Sequence, residues 1–245
     1  MKVALFITCL ADHFYPAIGE AVVRLLRRHG VSVEFPPGQT CCGQPFWNMG
    51  HMDEARECAR QFIRTFSQSE WIVTPSGSCA GHVRYFLPQM FPAGSPLCRE
   101  ASAIASRTFE FSQFMVNVLG VTDVGARFKA RAVYHNSCHM QRELGVVEEP
   151  VAMLRQVRDL ELVEAERPDL CCGFGGGFSV KMPEVSTAMA DEKLRYLTAT
   201  GADVLVSCDA GCLMHLGGRM EKLGIAMRPM HLAELLWEGV QHRGC

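Results

Sequence analysis

The sequence contains no apolar run long enough to cross a membrane. Its longest, such as Val3-Ala4-Leu5-Phe6-Ile7, fall far short of the ~20 residues a spanning helix requires. Nor is there a surplus of one charge. Lys and Arg total 24 against 26 Asp and Glu, a net charge of −2. That balance removes the basic field that nucleic acid or an anionic membrane surface selects, so neither partner is expected. The chain opens without a charged n-region, apolar h-region and small-residue cleavage site, and the expectation is a cytoplasmic protein without an integral membrane segment. No Ser–His–Asp constellation and no poised carboxylate pair stands out, so the catalytic residues are left unknown. Gly173-Phe174-Gly175-Gly176-Gly177 lacks both the Gly-x-Gly-x-x-Gly register and the Lys-Ser/Thr of a phosphate loop. Its glycines are read instead as letting backbone N–H groups approach a bound centre.

Cysteine is abundant. The 245 residues hold 12, within a composition of 48% hydrophobic and 20% charged residues that supports a soluble globular core without disulfide staples. Cys9 is followed by Cys41-Cys42-Gly43 and then Cys79, and Cys138 by Cys171-Cys172-Gly173 and then Cys212, with offsets between the series of 129, 130, 130 and 133. Neighbours repeat as well. Trp71 to Cys79 aligns without gaps to Val204 to Cys212, His82 matches His215, and Glu110 to Met115 resembles His231 to Leu236. The pattern reads as a duplication, with domains at 1–124 and 125–245 and a linker around Thr122-Asp123-Val124-Gly125-Ala126.

The apolar periodicity predicts strands at Lys2 to Thr8, Val31 to Phe35, Trp71 to Val73, Ala132 to Tyr134, Leu160 to Val163 and Val204 to Ser207. Helices are predicted from Pro16 towards Gly30, and over Met52 to Phe66, Val151 to Val157 and Val185 to Leu197. Alternating strands and helices imply an α/β fold of two duplicated Rossmann-like halves with mostly parallel sheets. Ligands collect beyond the carboxyl ends of such strands. Each repeated cysteine group follows a different strand, so the four cysteines of a half can converge on one sheet edge.

Eight cysteines therefore stand as candidate metal ligands: Cys9, Cys41, Cys42, Cys79, Cys138, Cys171, Cys172 and Cys212. Cys208 is ambiguous, because it aligns with Pro75. Cys58, Cys98 and Cys245 have no counterpart and read as bystanders. Disulfides suit an exported chain. Zinc would accept four thiolates, but its usual close Cys-x-x-Cys pairs are absent. Iron–sulfur clusters take the same ligation and give a redox reason for a duplicated thiolate site. His82, His135, His139 and His215 lie within three residues of repeated cysteines and read as groups that hydrogen-bond near the thiolates or cap helices, with direct ligation the alternative.

The arrangement resembles the cysteine-rich CCG domain found in the iron–sulfur subunits of heterodisulfide reductase and glycolate oxidase. It is most similar to the lactate utilisation protein A family, through Cys41-Cys42-Gly43-Gln44-Pro45, His135-Asn136-Ser137-Cys138-His139, Cys171-Cys172-Gly173-Phe174-Gly175-Gly176, Phe178-Ser179-Val180-Lys181 and Gly211-Cys212-Leu213-Met214-His215. The resemblance covers nearly the whole chain. It implies one iron–sulfur cluster per half, [4Fe-4S] in type, and an electron-transfer role in oxidising L-lactate to pyruvate with the other subunits of a lactate-utilisation complex. Glycolate oxidation or thiol–disulfide chemistry is the alternative within the class, and a non-catalytic zinc-stabilised scaffold the alternative outside it. The chain departs from the heterodisulfide reductase pattern in lacking the final Cys-x-x-Cys of each domain.

Overall fold

A computed structural model describes residues 1–241; Cys245 lies outside the described residues. Eight strands form two sheets of four. In the first, β1 (Lys2–Leu5), β2 (Ser32–Glu34), β3 (Ile72–Thr74) and β4 (Thr108–Glu110) lie in the order β2-β1-β3-β4. In the second, β5 (Arg127–His135), β6 (Arg158–Val163), β7 (Val204–Ser207) and β8 (Arg228–His231) repeat it as β6-β5-β7-β8. Every neighbouring pair is parallel. The central strands are short, nearly continuous apolar runs, as sheets covered on both faces require: Ile72 and Val73 are fully buried, as is every residue of β7.

The expected elements are present with adjusted bounds. The helix over Met52–Phe66 matches its prediction. The first strand stops at Leu5 rather than Thr8, and Cys9 opens a short helix, Cys9–Phe14. The helix placed at Val151 to Val157 instead spans Glu148–Arg155, since Glu148 and Glu149 in its first turn complement the helix dipole. The strand at Ala132 to Tyr134 extends to Arg127–His135. Both outer strands β4 and β8 escaped the sequence reading. They are three and four residues long, and each interrupts its apolar pattern, with Glu110 in one and Pro229 in the other. Proline is tolerated there because β8 is an edge strand. Residues 122–126 carry no helix or strand.

The halves pack reciprocally. The turns Phe111–Gln113 and Phe114–Val118, which follow β4, rest on the Glu148–Arg155 helix of the second half. The Leu232–Gln241 helix, which follows β8, rests on the Pro16–Arg28 helix of the first. One continuous core results, joining Leu25, Leu26, Phe111 and Phe114 to Met153, Leu154, Leu235 and Leu236. Gly239 lets its helix lie close against the start of β5, since a Cβ there would lie 2.9 Å from Ala126 Cβ and 3.1 Å from the Arg127 backbone.

Candidate metal or cluster site

In each sheet the strand order reverses between the two central strands, where open α/β sheets bind their ligands. Cys9 follows β1 and Cys79 follows β3 at the first such point, with Cys41 and Cys42 arriving from the loop beyond β2. Cys138, Cys212, Cys171 and Cys172 do the same around β5, β7 and β6. All eight line a single cavity of about 310 Å³ between the halves.

The two groups share one plan. An outer, half-buried pair lies at the cavity wall, Cys9 and Cys41 with sulfurs 3.9 Å apart, matched by Cys138 and Cys171 at 3.8 Å. Behind it sits a buried inner pair, Cys42 and Cys79 at 3.5 Å, matched by Cys172 and Cys212 at 3.0 Å. All are free thiols. Adjacent cysteines in one loop thus serve different pairs, which accounts for the Cys-Cys doublets. The glycine after each doublet has positive φ, 92° at Gly43 and 87° at Gly173, a region that disfavours side chains. Each packs against a helix: a Cβ on Gly43 would approach Ala55 O and Cys58, and one on Gly173 would approach Ser186 O and Met189. The same turn aims its N–H at the outer thiol, Gly43 to Cys41 at 3.5 Å and Gly173 to Cys171 at 3.4 Å.

These contacts select one thiolate per group. Cys41 is held well below the ordinary thiol range by S–H groups of Cys42 and Cys9, helped by the Gly43 N–H. Cys171 is held down in the same way by Cys138 and Cys172, helped by Gly173. The donors are pushed up: Cys9 and Cys42 chiefly by bonding to Cys41, Cys138 and Cys172 by bonding to Cys171. A thiolate is the form that binds metal, so each half has a natural first ligand.

Histidines surround both groups. His82 and His135 are fully buried, and neither ring nitrogen of either finds a partner. Burial holds His82 down to about 4 and His135 to about 3, so both are neutral. His139 lies with Nδ1 3.5 Å from Cys138 Sγ, and His215 is bonded to Ser186 Oγ at 3.1 Å. Among the described residues, one trio of metal-binding side chains has ligand atoms all within 4.8 Å of one another: His135, Cys172 and Cys212.

The remaining cysteines separate cleanly. Cys208 is fully buried in the core shared by the halves, where it accepts the Tyr134 hydroxyl at 3.6 Å, and it does not line the cavity. Cys58 and Cys98 also lie off the cavity wall. Two features went unread in the sequence. Asp209 Oδ1 accepts the Gly211 N–H at 3.1 Å to cap its own helix, while its Oδ2 accepts the Ser78 N–H of the other half at 2.8 Å. Lys193 is a buried cation behind the second thiol group, donating to the carbonyls of Arg167 and Pro168 at 3.0 and 3.1 Å. Its signal was a lone lysine flanked by the buried Ala190, Leu194 and Leu197.

The sequence profile of the "Cysteine-rich domain" family CCG matches residues 3–84 and again 132–217. A Lactate utilization protein A 2 of Bacillus cereus (strain 03BB102) is 46% identical over 240 residues, covering 98% of this chain and 99% of the relative. A Lactate utilization protein A of Geobacillus kaustophilus is 48% identical over 236 residues, covering 96% and 98%. Among solved structures, glutamate racemase RacE1 of Bacillus anthracis has a TM-score of 0.39 at 12% identity, covering 100% of this chain and 82% of that one. A likeness this distant says nothing of function. No helix among the described residues is long and apolar enough to cross a membrane.

Proposed function

Since the chain belongs to the lactate utilization protein A family of duplicated cysteine-rich domains, we propose that it is the iron–sulfur electron-transfer subunit of a complex that oxidises L-lactate to pyruvate. The observation that carries this reading is the convergence of two four-cysteine groups on one cavity. Each group supplies soft thiolate ligands beside polar backbone, the donor chemistry iron–sulfur clusters use.

The spacing argues against one zinc ion per group. A tetrahedral ion with metal–sulfur bonds of about 2.3 Å needs its four sulfurs about 3.8 Å apart. Among the described residues, in neither half do all four come within 4.8 Å of one another. A polynuclear cluster accepts the wider set.

Bound there, iron–sulfur clusters supply reversible one-electron chemistry. Cys9, Cys41, Cys42 and Cys79 would hold one, and Cys138, Cys171, Cys172 and Cys212 the other. Gly43 and Gly173 direct N–H groups at ligand sulfur, and the apolar layer behind Cys42 and Cys79 excludes water from the first group. Oxidation of lactate to pyruvate releases two electrons and two protons, and two one-electron sites facing one cavity match that stoichiometry. Partner subunits carry the substrate chemistry in this reading.

Anaerobically purified protein is expected to be brown and to contain iron and acid-labile sulfide. Colourless protein with stoichiometric zinc and no iron overturns the proposal. The shared cavity favours a second reading, in which the centres act directly on a small substrate, as in the glycolate and thiol–disulfide alternatives. Bleaching of the isolated chain by lactate, glycolate or a thiol, without partners, would select it.

A further inference from the structure

The two donor sets differ at one position behind the inner thiols. Strand register fixes the equivalence: Ala4 pairs with Ile72 and Leu5 with Val73 in the first sheet, as Val133 pairs with Leu205 and Tyr134 with Val206 in the second. The next residue outward is Phe6 in the first half and His135 in the second. Phe6 is buried edge-on against Phe62, ring centroids 4.9 Å apart. His135 is equally buried, yet its polar ring has no hydrogen-bond partner at either nitrogen. Leaving a buried donor or acceptor unmet is costly, so an imidazole here, where the fold accommodates phenylalanine in its other copy, points to something it binds. A ring nitrogen lies within 4.8 Å of both Cys172 and Cys212 sulfurs.

His82 makes the contrast sharper. It too is buried with both nitrogens unmet, but it lies among Trp47 and Phe86, and among the described residues it forms no group with two thiols whose ligand atoms all lie within 4.8 Å of one another. Its counterpart His215 is already bonded to Ser186.

We infer that His135 is a direct ligand of the second centre, completing with Cys172 and Cys212 a mixed imidazole–thiolate set that the first half, with Phe6 in its place, does not possess. The inference rests on the cluster reading above. Where the imidazole takes the place of one outer thiolate, Cys138 or Cys171, it raises the cluster's reduction potential, so the second centre is the more easily reduced, and electrons shared between the halves settle there.

The test is pulsed electron paramagnetic resonance on the anaerobically purified, partly reduced full chain, grown with natural and with ¹⁵N-labelled histidine. Strong coupling to one imidazole nitrogen is expected on the centre that reduces first. His135→Phe, which copies the first half, is expected to lose that coupling. His135→Cys is expected to keep the iron and lower that centre's potential towards the other's. His82→Phe leaves the coupling in place. Iron-replete wild-type protein with no strongly coupled imidazole nitrogen overturns the assignment whatever the variants do, as does coupling that disappears in His82→Phe and survives in His135→Phe. A chain that takes up no iron overturns the cluster reading and this inference together.

Discussion

The two halves share topology, thiol pairs and glycine turns, and they part company in what stands behind the thiols. In the first, Phe6 packs on Phe62 within an apolar layer that also holds Phe66. In the second, the Phe6 position is His135. The contacts of Gly43 with Ala55 and Cys58, matched by those of Gly173 with Ser186 and Met189, place Lys193 where Phe62 stands. One site is thus backed by two aromatic rings, the other by an imidazole and a buried ammonium. Duplication kept the thiol groups and changed their electrostatic surroundings, which would give two bound centres unlike potentials.

The strongest challenge to this comparison is removal of one inner thiol at a time. Cys42→Ser and Cys172→Ser are each expected to lose about half the iron, from opposite halves, while Cys58→Ser and Cys98→Ser keep all of it, by iron and sulfide assay of anaerobic protein. Equal losses across all four would mean that the repeat misassigns the ligands.

A second contrast lies at the ends of β4 and β8, where Glu110 and His231 occupy equivalent positions. Glu110 Oε2 accepts the N–H groups of Ser112 and Gln113 at 2.7 and 3.2 Å, and burial pushes the carboxyl up to about 7. His231 accepts the Ala233 N–H at Nδ1 and donates from Nε2 to Pro75 O, both at 3.1 Å, and burial holds it down to about 4. Their effects on stability oppose one another. An unfolded chain releases the Glu110 proton near 4.5 while the folded chain keeps it to about 7, so stability falls across that window as pH rises, by about 3 kcal/mol. An unfolded chain protonates His231 below 6.5 while the folded chain resists to about 4, so stability falls as pH drops through that range. Glu110→Gln is expected to abolish the first loss, so that the climb in stability from pH 4 to 6.5 set by His231, His82 and His135 becomes steeper than in wild type. Urea denaturation of iron-free, reduced protein across that range checks it, and a curve parallel to wild type refutes it.

The smallest effect concerns the paired helix caps. Asp209 caps its own helix and reaches Ser78 across the interface, whereas Ser76 Oγ accepts the Cys79 N–H at 3.3 Å in its own half. Asp209→Ala should cost about 2 kcal/mol and Ser76→Ala about 1 kcal/mol, measured by the same denaturation at pH 7.

Much of this was readable in the sequence because thiols at matching offsets are discrete marks. The spacing of Cys9, Cys41, Cys42 and Cys79 and its recurrence named the eight residues that line the cavity, and apolar runs such as Val204 to Ser207 located the central strands. What escaped depends on tertiary placement. The strand Thr108-Phe109-Glu110 is too short to carry a period, and its buried glutamate reads as surface until the fold encloses it. His135 lay in a visible motif, but its difference from Phe6 emerges only when strand register aligns the two. Lys193 reads as one polar residue on a helix until Arg167 and Pro168 fold back to accept its protons.

The reciprocal packing of the halves bears on how the molecule is made. The Leu232–Gln241 helix that covers the Pro16–Arg28 helix is translated about 200 residues after it. At about 5–20 residues per second, the Pro16–Arg28 helix waits roughly ten seconds or more for its cover, and Phe111, Phe114 and Met115 wait roughly two to eight seconds for the Glu148–Arg155 helix. The shared cavity wall is complete only once both halves have folded. Until then the early half is a natural client for a chaperone.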